Sequence, residues 1–295
     1  SYVNAVYLSK HDVNTMYVAF NHHKYGDFKP YIFMSTDKGQ TWKSISSNLP
    51  KGSIYSIEED HIDSNLIFCG TEYGAFFSPN KGQRLKELST GLPTIAVRDI
   101  AIQERENDLV LGPFGRGFYV LDDYSALRQV ENSEISDTAI IYPIRDALSW
   151  ERSSPLGLPG KALQGDNFFT AENLGPEVMI TYYYNEDFKT LEEQRRAQEK
   201  EVRKKNQDAN YPSYEDYKAE RNERKEKLVF TIKDKNGVVV KKVIKTPKKG
   251  IQRFKWDLRY TLPDPVDLSK STFYNPWASK DEGTLVEPGP YTIEL

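Results

Sequence analysis

The chain has 295 residues, with 40 Lys and Arg against 43 Asp and Glu, for a net charge of -3. A length well beyond about 150 residues predicts more than one domain, and the balanced charge argues against nucleic acid as a partner, which calls for a basic face. Its 19 Tyr, 14 Phe and 4 Trp exclude a disordered chain, and direct membrane insertion is not expected because no apolar run approaches the ~20 residues of a spanning helix.

Residues 3–8, 15–20, 31–35 and 42–46 read as four short strands separated by Gly, Asn, Asp and Pro turns. A second set follows at 54–58, 65–70, 75–78 and 84–88. A third lies at 97–103, 108–112 and 117–121, its fourth strand expected from 138–142. The first two sets repeat one another: Ser35-Thr36-Asp37-Lys38-Gly39-Gln40-Thr41-Trp42 returns 43 residues later as Ser78-Pro79-Asn80-Lys81-Gly82-Gln83-Arg84-Leu85. Four short strands on such a period predict the blades of a β-propeller. Propellers close with about four to eight blades. Residues 1–146 are therefore expected to be a partial propeller of two to three four-stranded blades, ending a longer protein with further blades upstream. The lone cysteine, in Leu66-Ile67-Phe68-Cys69, permits no internal disulfide and reads as a buried small residue.

Residues 147–166, rich in Pro, Gly and Ser, read as a linker or strap. From 167 to 295 the strands 178–184, 228–233, 238–245, 252–259 and 291–295 predict an immunoglobulin- or fibronectin-like β-sandwich, with Trp256 and Tyr291 in its core. Asn236-Gly237 predicts a tight hairpin with positive φ at both central positions. The insert 186–227 carries 12 acidic and 12 basic residues among its 42. Its Glu192/Arg196, Glu199/Arg203, Glu201/Lys205, Glu220/Arg224 and Glu223/Lys227 spacings predict a salt-bridged helical hairpin broken at Pro212. The fold class is thus mainly β with one charged helical insert.

Strand parity locates the candidate site. In an up-and-down blade the second-to-third turns and the blade connections lie at one end, where loops on a rigid scaffold meet ligands. That end holds His22, His23 and Asp27 in the loop 21–30, Glu72 and Tyr73 in the second blade, and Phe114 and Arg116 in the third. Glu72 beside Tyr73 is the best-placed acid for a sugar site, with Asp27 as the alternative; glycoside hydrolysis needs two such carboxylates across the scissile bond. Adjacent His22 and His23 would point opposite ways on a strand, so no metal site is expected. No nucleotide loop or other cofactor motif occurs, so no cofactor is expected.

The Ser35–Trp42 segment matches the Asp-box pattern S-x-D-x-G-x-T-W, and the first half resembles the Asp-box (BNR) propellers of the sortilin-like and xyloglucanase-like group. Together with Gly115-Arg116-Gly117-Phe118-Tyr119-Val120-Leu121-Asp122-Asp123, the segment from Phe168 to Pro176, Phe254-Lys255-Trp256-Asp257-Leu258-Arg259 and Val286-Glu287-Pro288-Gly289-Pro290-Tyr291, it makes the chain similar to the C-terminal half of large exported bacterial proteins often labelled glycosyl hydrolases. The resemblance implies a periplasmic, cell-surface or extracellular location. It also implies structural roles for Ser35, Asp37, Gly39, Thr41 and Trp42: Asp37 closing the turn through backbone N–H groups, Gly39 supplying permissive backbone and Trp42 a buried face. The family pattern has a Thr or His near Pro113 and Phe114, which this chain lacks. Three functions stand open: a binding scaffold for a glycan or peptide at the propeller face, a xyloglucanase-like glycoside hydrolase, and a subunit assembling with cell-envelope proteins.

Overall fold

The computed structural model describes residues 1–46, 48–130, 138–150, 171, 174–186, 188–262 and 282–295. The chain divides into two compact units, Ser1–Ser136 and Asp137–Leu295, and its described residues are mainly β. Most of the expected linker, much of the 168–176 segment and the Asn275-Pro276-Trp277 loop lie outside the described residues.

The first unit holds three antiparallel sheets in chain order. The first is β1 (Tyr2–Leu8), β2 (Met16–His22), β3 (Asp27–Ser35) and β4 (Lys43–Ser44), and the second is β5 (Ile54–Glu59), β6 (Ile67–Thr71), β7 (Gly74–Ser78) and β8 (Lys86–Glu87). The third contains β9 (Val97–Gln103), β10 (Asp108–Pro113) and β11 (Tyr119–Leu121). A common register runs through them: Met16 faces Ser35, Ile67 faces Ser78 and Leu109 faces Leu121. Period-2 alternation sends Tyr17, Ala19 and Ile32 of the first sheet into one core with Ile54, Ile57, Ile67, Cys69 and Phe76 of the second. Each fully buried Ile or Phe there contributes roughly 1.5–3 kcal/mol.

The outer face of the first sheet is different. Val3, Val6 and Leu8 are 57, 63 and 66% exposed. The register equivalents of Val3 and Val6, Ile54 and Ile57 on β5, are 0 and 5% exposed, because β1 and β2 cover them.

The third sheet departs from expectation. Residues 138–142 do not complete it; Ala139–Ile141 pairs in the second unit instead. After β11 the chain enters a 3-10 helix, Tyr124–Gln129, at a third copy of the repeated turn. Asp37, Asn80 and Asp123 stand at equal spacing. The following N–H groups, of Lys38, Lys81 and Tyr124, donate to the carbonyls of Asn14, Asn65 and Asn107 at 2.9, 2.8 and 2.8 Å. The sequence hid this copy because Leu121 replaces the Ser and Ser125 the Gly.

In the first turn Asp37 accepts from the Ser35 hydroxyl (2.8 Å), the Thr41 N–H (2.9 Å) and the Thr41 hydroxyl (2.6 Å). Those bonds, Thr41 first, hold its carboxyl at about 2. Gly39, at φ +85°, donates its N–H to Ser35 Oγ at 2.8 Å. Asn80 accepts from Ser78 Oγ and Arg84 N–H at 2.9 Å each in the second copy. Trp42 is not buried as expected: 43% of it is exposed, and its indole N–H turns back to the Gly39 carbonyl at 3.0 Å.

In the second unit, β12 (Ala139–Ile141), β13 (Val178–Tyr184) and β16 (Gly250–Trp256) form one antiparallel sheet. The other consists of β14 (Leu228–Lys233), β15 (Val239–Lys245) and β17 (Thr292–Glu294). The ring of Phe230 stands 4.7 Å from both Tyr182 and Phe254, so aromatic side chains of the two sheets form one sandwich core. Trp256 is buried there, with Tyr291 5.3 Å away. The hairpin between β14 and β15 is longer than the Asn-Gly pair suggested: only Gly237 has positive φ (+79°), and Asp234 Oδ1 accepts the N–H groups of Asn236 and Val238.

The insert forms helices α1 (Leu191–Lys204) and α2 (Tyr214–Asn222), each opened by a capping box, Thr190 with Glu193 and Ser213 with Asp216. Glu192 pairs with Arg196 as expected. Glu220 instead crosses to Arg195 on the other helix at 2.6 Å, and Glu223 accepts the Leu191 N–H at the start of α1. A charge shared across a hairpin satisfies helix ends that an exposed i,i+4 pair leaves to water.

Candidate functional site

The turns β2–β3 and β6–β7, the segment after β10 and the starts of β1, β5 and β9 share one end of the first unit, as the antiparallel register requires. The expected open loop at 21–30 is mostly strand. His22 pairs with Asp27, and one 3-10 turn, His23–Tyr25, closes the hairpin at Gly26 (φ +74°).

The two histidines take separate partners. His22 bonds Ser1 Oγ (3.0 Å) and stacks on Tyr25 at 4.4 Å. His23 bonds Asn21 (2.5 Å), which donates to Asn4 (2.6 Å), which in turn donates to the Ile54 carbonyl (2.5 Å). That chain ties the first sheet to the second. Asp27 accepts the Tyr31 hydroxyl (2.5 Å) and the Lys29 N–H (3.1 Å), and these bonds, Tyr31 first, hold its carboxyl below the usual range. Glu72 accepts the Ser53 N–H at 3.2 Å while its own N–H donates to the Ser53 carbonyl at 3.0 Å. Each acid is thus engaged within its own sheet's turn, and the two share no partner among the described residues.

Aromatic rings dominate what this end shows to solvent. Tyr73 lies over Gly52, where a Cβ would stand 3.1 Å from its ring. Phe114 donates its N–H to the Ala96 carbonyl at 2.7 Å, and its side chain is 73% exposed. Arg116 (φ +63°) sits between Gly115 and Gly117, both also left-handed. Of the seven exposed aromatic residues among the first unit's described residues, six (Tyr2, Tyr25, Phe28, Tyr73, Phe114 and Phe118) lie at this end and only Trp42 does not.

Two features escaped the sequence reading. Arg98, at the start of β9, has its guanidinium 3.7 Å from the centre of the Tyr55 ring and 5.4 Å from that of Phe114. Its signal was faint: one outward Arg on a strand, with both rings far off in sequence. The other feature is a buried polar clamp at the opposite end. Arg128 Nε and Nη2 donate to Asp60 at 2.7 and 2.8 Å, Tyr124 donates its hydroxyl to the same carboxylate, and Arg128 also reaches Asn107 at 2.7 Å. Burial alone would raise the Asp60 carboxyl. Arg128, then Tyr124 and the Asp63 N–H, outweigh it and hold the group at about 2. Every oxygen of this carboxylate is engaged, so it braces the fold.

No protein-family profile matches the chain, and no curated protein does either. Among solved structures, the GH74 enzyme of Niastella koreensis aligns with a TM-score of 0.35 and 19% identity over 40% of this chain and 21% of its own. An ancestral GH74 enzyme aligns with a TM-score of 0.35 and 21% identity over 41% of this chain and 17% of its own. The chain therefore spans about a fifth of the length of the structures it is similar to. No helix among the described residues is long and apolar enough to cross a membrane.

Proposed function

We propose that the three sheets of the first unit are Asp-box blades of a propeller in an exported protein, and that their aromatic end binds a glycan. The observation that carries this reading is the placement of six of seven exposed aromatic side chains on one end. Exposed apolar groups gathered at one end of a domain are a mark of interaction sites. A sugar supplies apolar C–H faces to stack on them and hydroxyls for a turn region already rich in Asn, His and Glu. Binding is favoured over hydrolysis because Glu72 and Asp27, the candidate acids of this end, are each engaged in holding a turn.

The test is a glycan array and a peptide array probed with the whole chain. Glycan binding lost in Tyr73→Ala and Phe114→Ala, with unchanged thermal unfolding, supports the reading. Peptide binding alone, or release of reducing ends from a polysaccharide panel, replaces it with the peptide or hydrolase function.

A further inference from the structure

Resting on the reading of this end as a glycan site, we propose that its ligand is an acidic glycan and that Arg98 receives a uronate carboxylate. The guanidinium carbon lies over the Tyr55 ring, 3.7 Å from its centre, and 5.4 Å from the centre of the Phe114 ring. Stacking occupies the planar faces and leaves the N–H edge free, which is the edge that grips a carboxylate with two parallel bonds. Arg98 is exposed, and that edge has no hydrogen-bond or ion-pair partner among the described residues.

The contrast with Arg128 is instructive, since Arg128 is gripped by Asp60 and Asn107. An arginine held in one orientation by two rings has already lost much of the rotamer freedom that a free one gives up on binding. The nearby acids do not neutralise it. Glu72 is engaged by Ser53, and Asp99, the next residue on β9, accepts the Ile100 N–H at 3.0 Å and forms no ion pair with Arg98. Phe114 serves both purposes: it flanks the guanidinium, and as an exposed ring it offers a platform to the sugar carrying the carboxylate.

The experiment titrates the whole chain by calorimetry with a galacturonate trimer and with the neutral galactose trimer, at two salt concentrations. The expected result is tighter binding of the galacturonate trimer, weakened by salt. Arg98→Gln then loses about 10- to 100-fold in affinity for it, the scale of hydrogen bonds to a charged group, with affinity for the neutral trimer unchanged. Arg98→Lys, which keeps the charge without the planar fork, should fall between. Unfolding curves of both variants should overlay the parent's, since the side chain is exposed. Equal affinity for the two trimers, or unaltered galacturonate binding by Arg98→Gln, overturns the assignment and leaves the glycan reading standing. Failure of the parent chain to bind either trimer overturns the assignment, and silence across the whole glycan array removes the reading beneath it.

Discussion

Asp60 shows how much one residue can carry. It follows β5 directly, is fully buried, and receives Arg128 through two nitrogens and Tyr124 through its hydroxyl. Removing one partner of a buried ion pair leaves the other charge uncompensated, at roughly 3–5 kcal/mol. Asp60→Asn should therefore lower the stability of the first unit by about that much at pH 7, measured by urea unfolding. The pH dependence has a definite sign. A carboxyl held at about 2 in the folded chain, against its ordinary 3.8, stabilises above the ordinary value and loses that stabilisation as pH falls through about 2. The gap between parent and Asp60→Asn should shrink across pH 4 to 2; a gap that stays constant would sink the assignment. Sequence reading could not find this clamp. Asp60 and Arg128 are far apart in the chain, and an acid at a strand end followed by Asp63 reads as an ordinary turn.

Among the elements, the repeated turns were the most legible, because short polar side chains bond backbone only a few residues away. Ser35, Asp37, Gly39 and Thr41 contact one another within the turn, so their spacing in sequence is their geometry in space. The third copy was invisible since it keeps Asp123 and loses the flanking Ser and Gly, while the backbone bond to Asn107 persists. Glycine positions in these elements are not equivalent. Gly82 has φ +81°, and a Cβ there would stand 2.7 Å from Ile45 Cβ; Gly115 has φ +94° with open space around it. Gly115→Ala should cost about 1–2 kcal/mol from left-handed strain alone. Gly82→Ala should cost about 1–3 kcal/mol more for overpacking. Thermal unfolding of the two variants separates these terms, and equal losses would show that Ile45 yields freely. The helical insert was legible in its break and in its Glu192/Arg196 pair, but not in its capping boxes or in the pairs that cross the hairpin. Glu220 has Arg195 across the hairpin within reach, and helix spacing alone says nothing about a neighbouring helix.

At the scale of the whole molecule, equivalent positions in the repeat meet opposite fates. Val6 and Ile57 occupy the same place in register, yet one is in water and the other in a core shared by two sheets. Ile57→Ala should cost roughly 2–5 kcal/mol, whereas Val6→Ala should change stability by about 0.5 kcal/mol or less. Chemical denaturation of both variants checks the contrast, and similar losses would mean that Val6 is covered in solution. The sequence by itself determined the mainly β class, the repeat, most strand positions, the sandwich core residues Trp256 and Tyr291, and the helical insert. All of these rest on periodicity or on bonds between near neighbours in the chain. Only the tertiary structure decided that Trp42 stays half in solvent, that Ala139–Ile141 pairs outside the third sheet, and that Tyr55, Arg98 and Phe114 meet. It also decided which apolar faces are covered. The physical reason is common to these cases: a strand's alternation says which side chains share a face, but what lies against that face depends on segments distant in the chain.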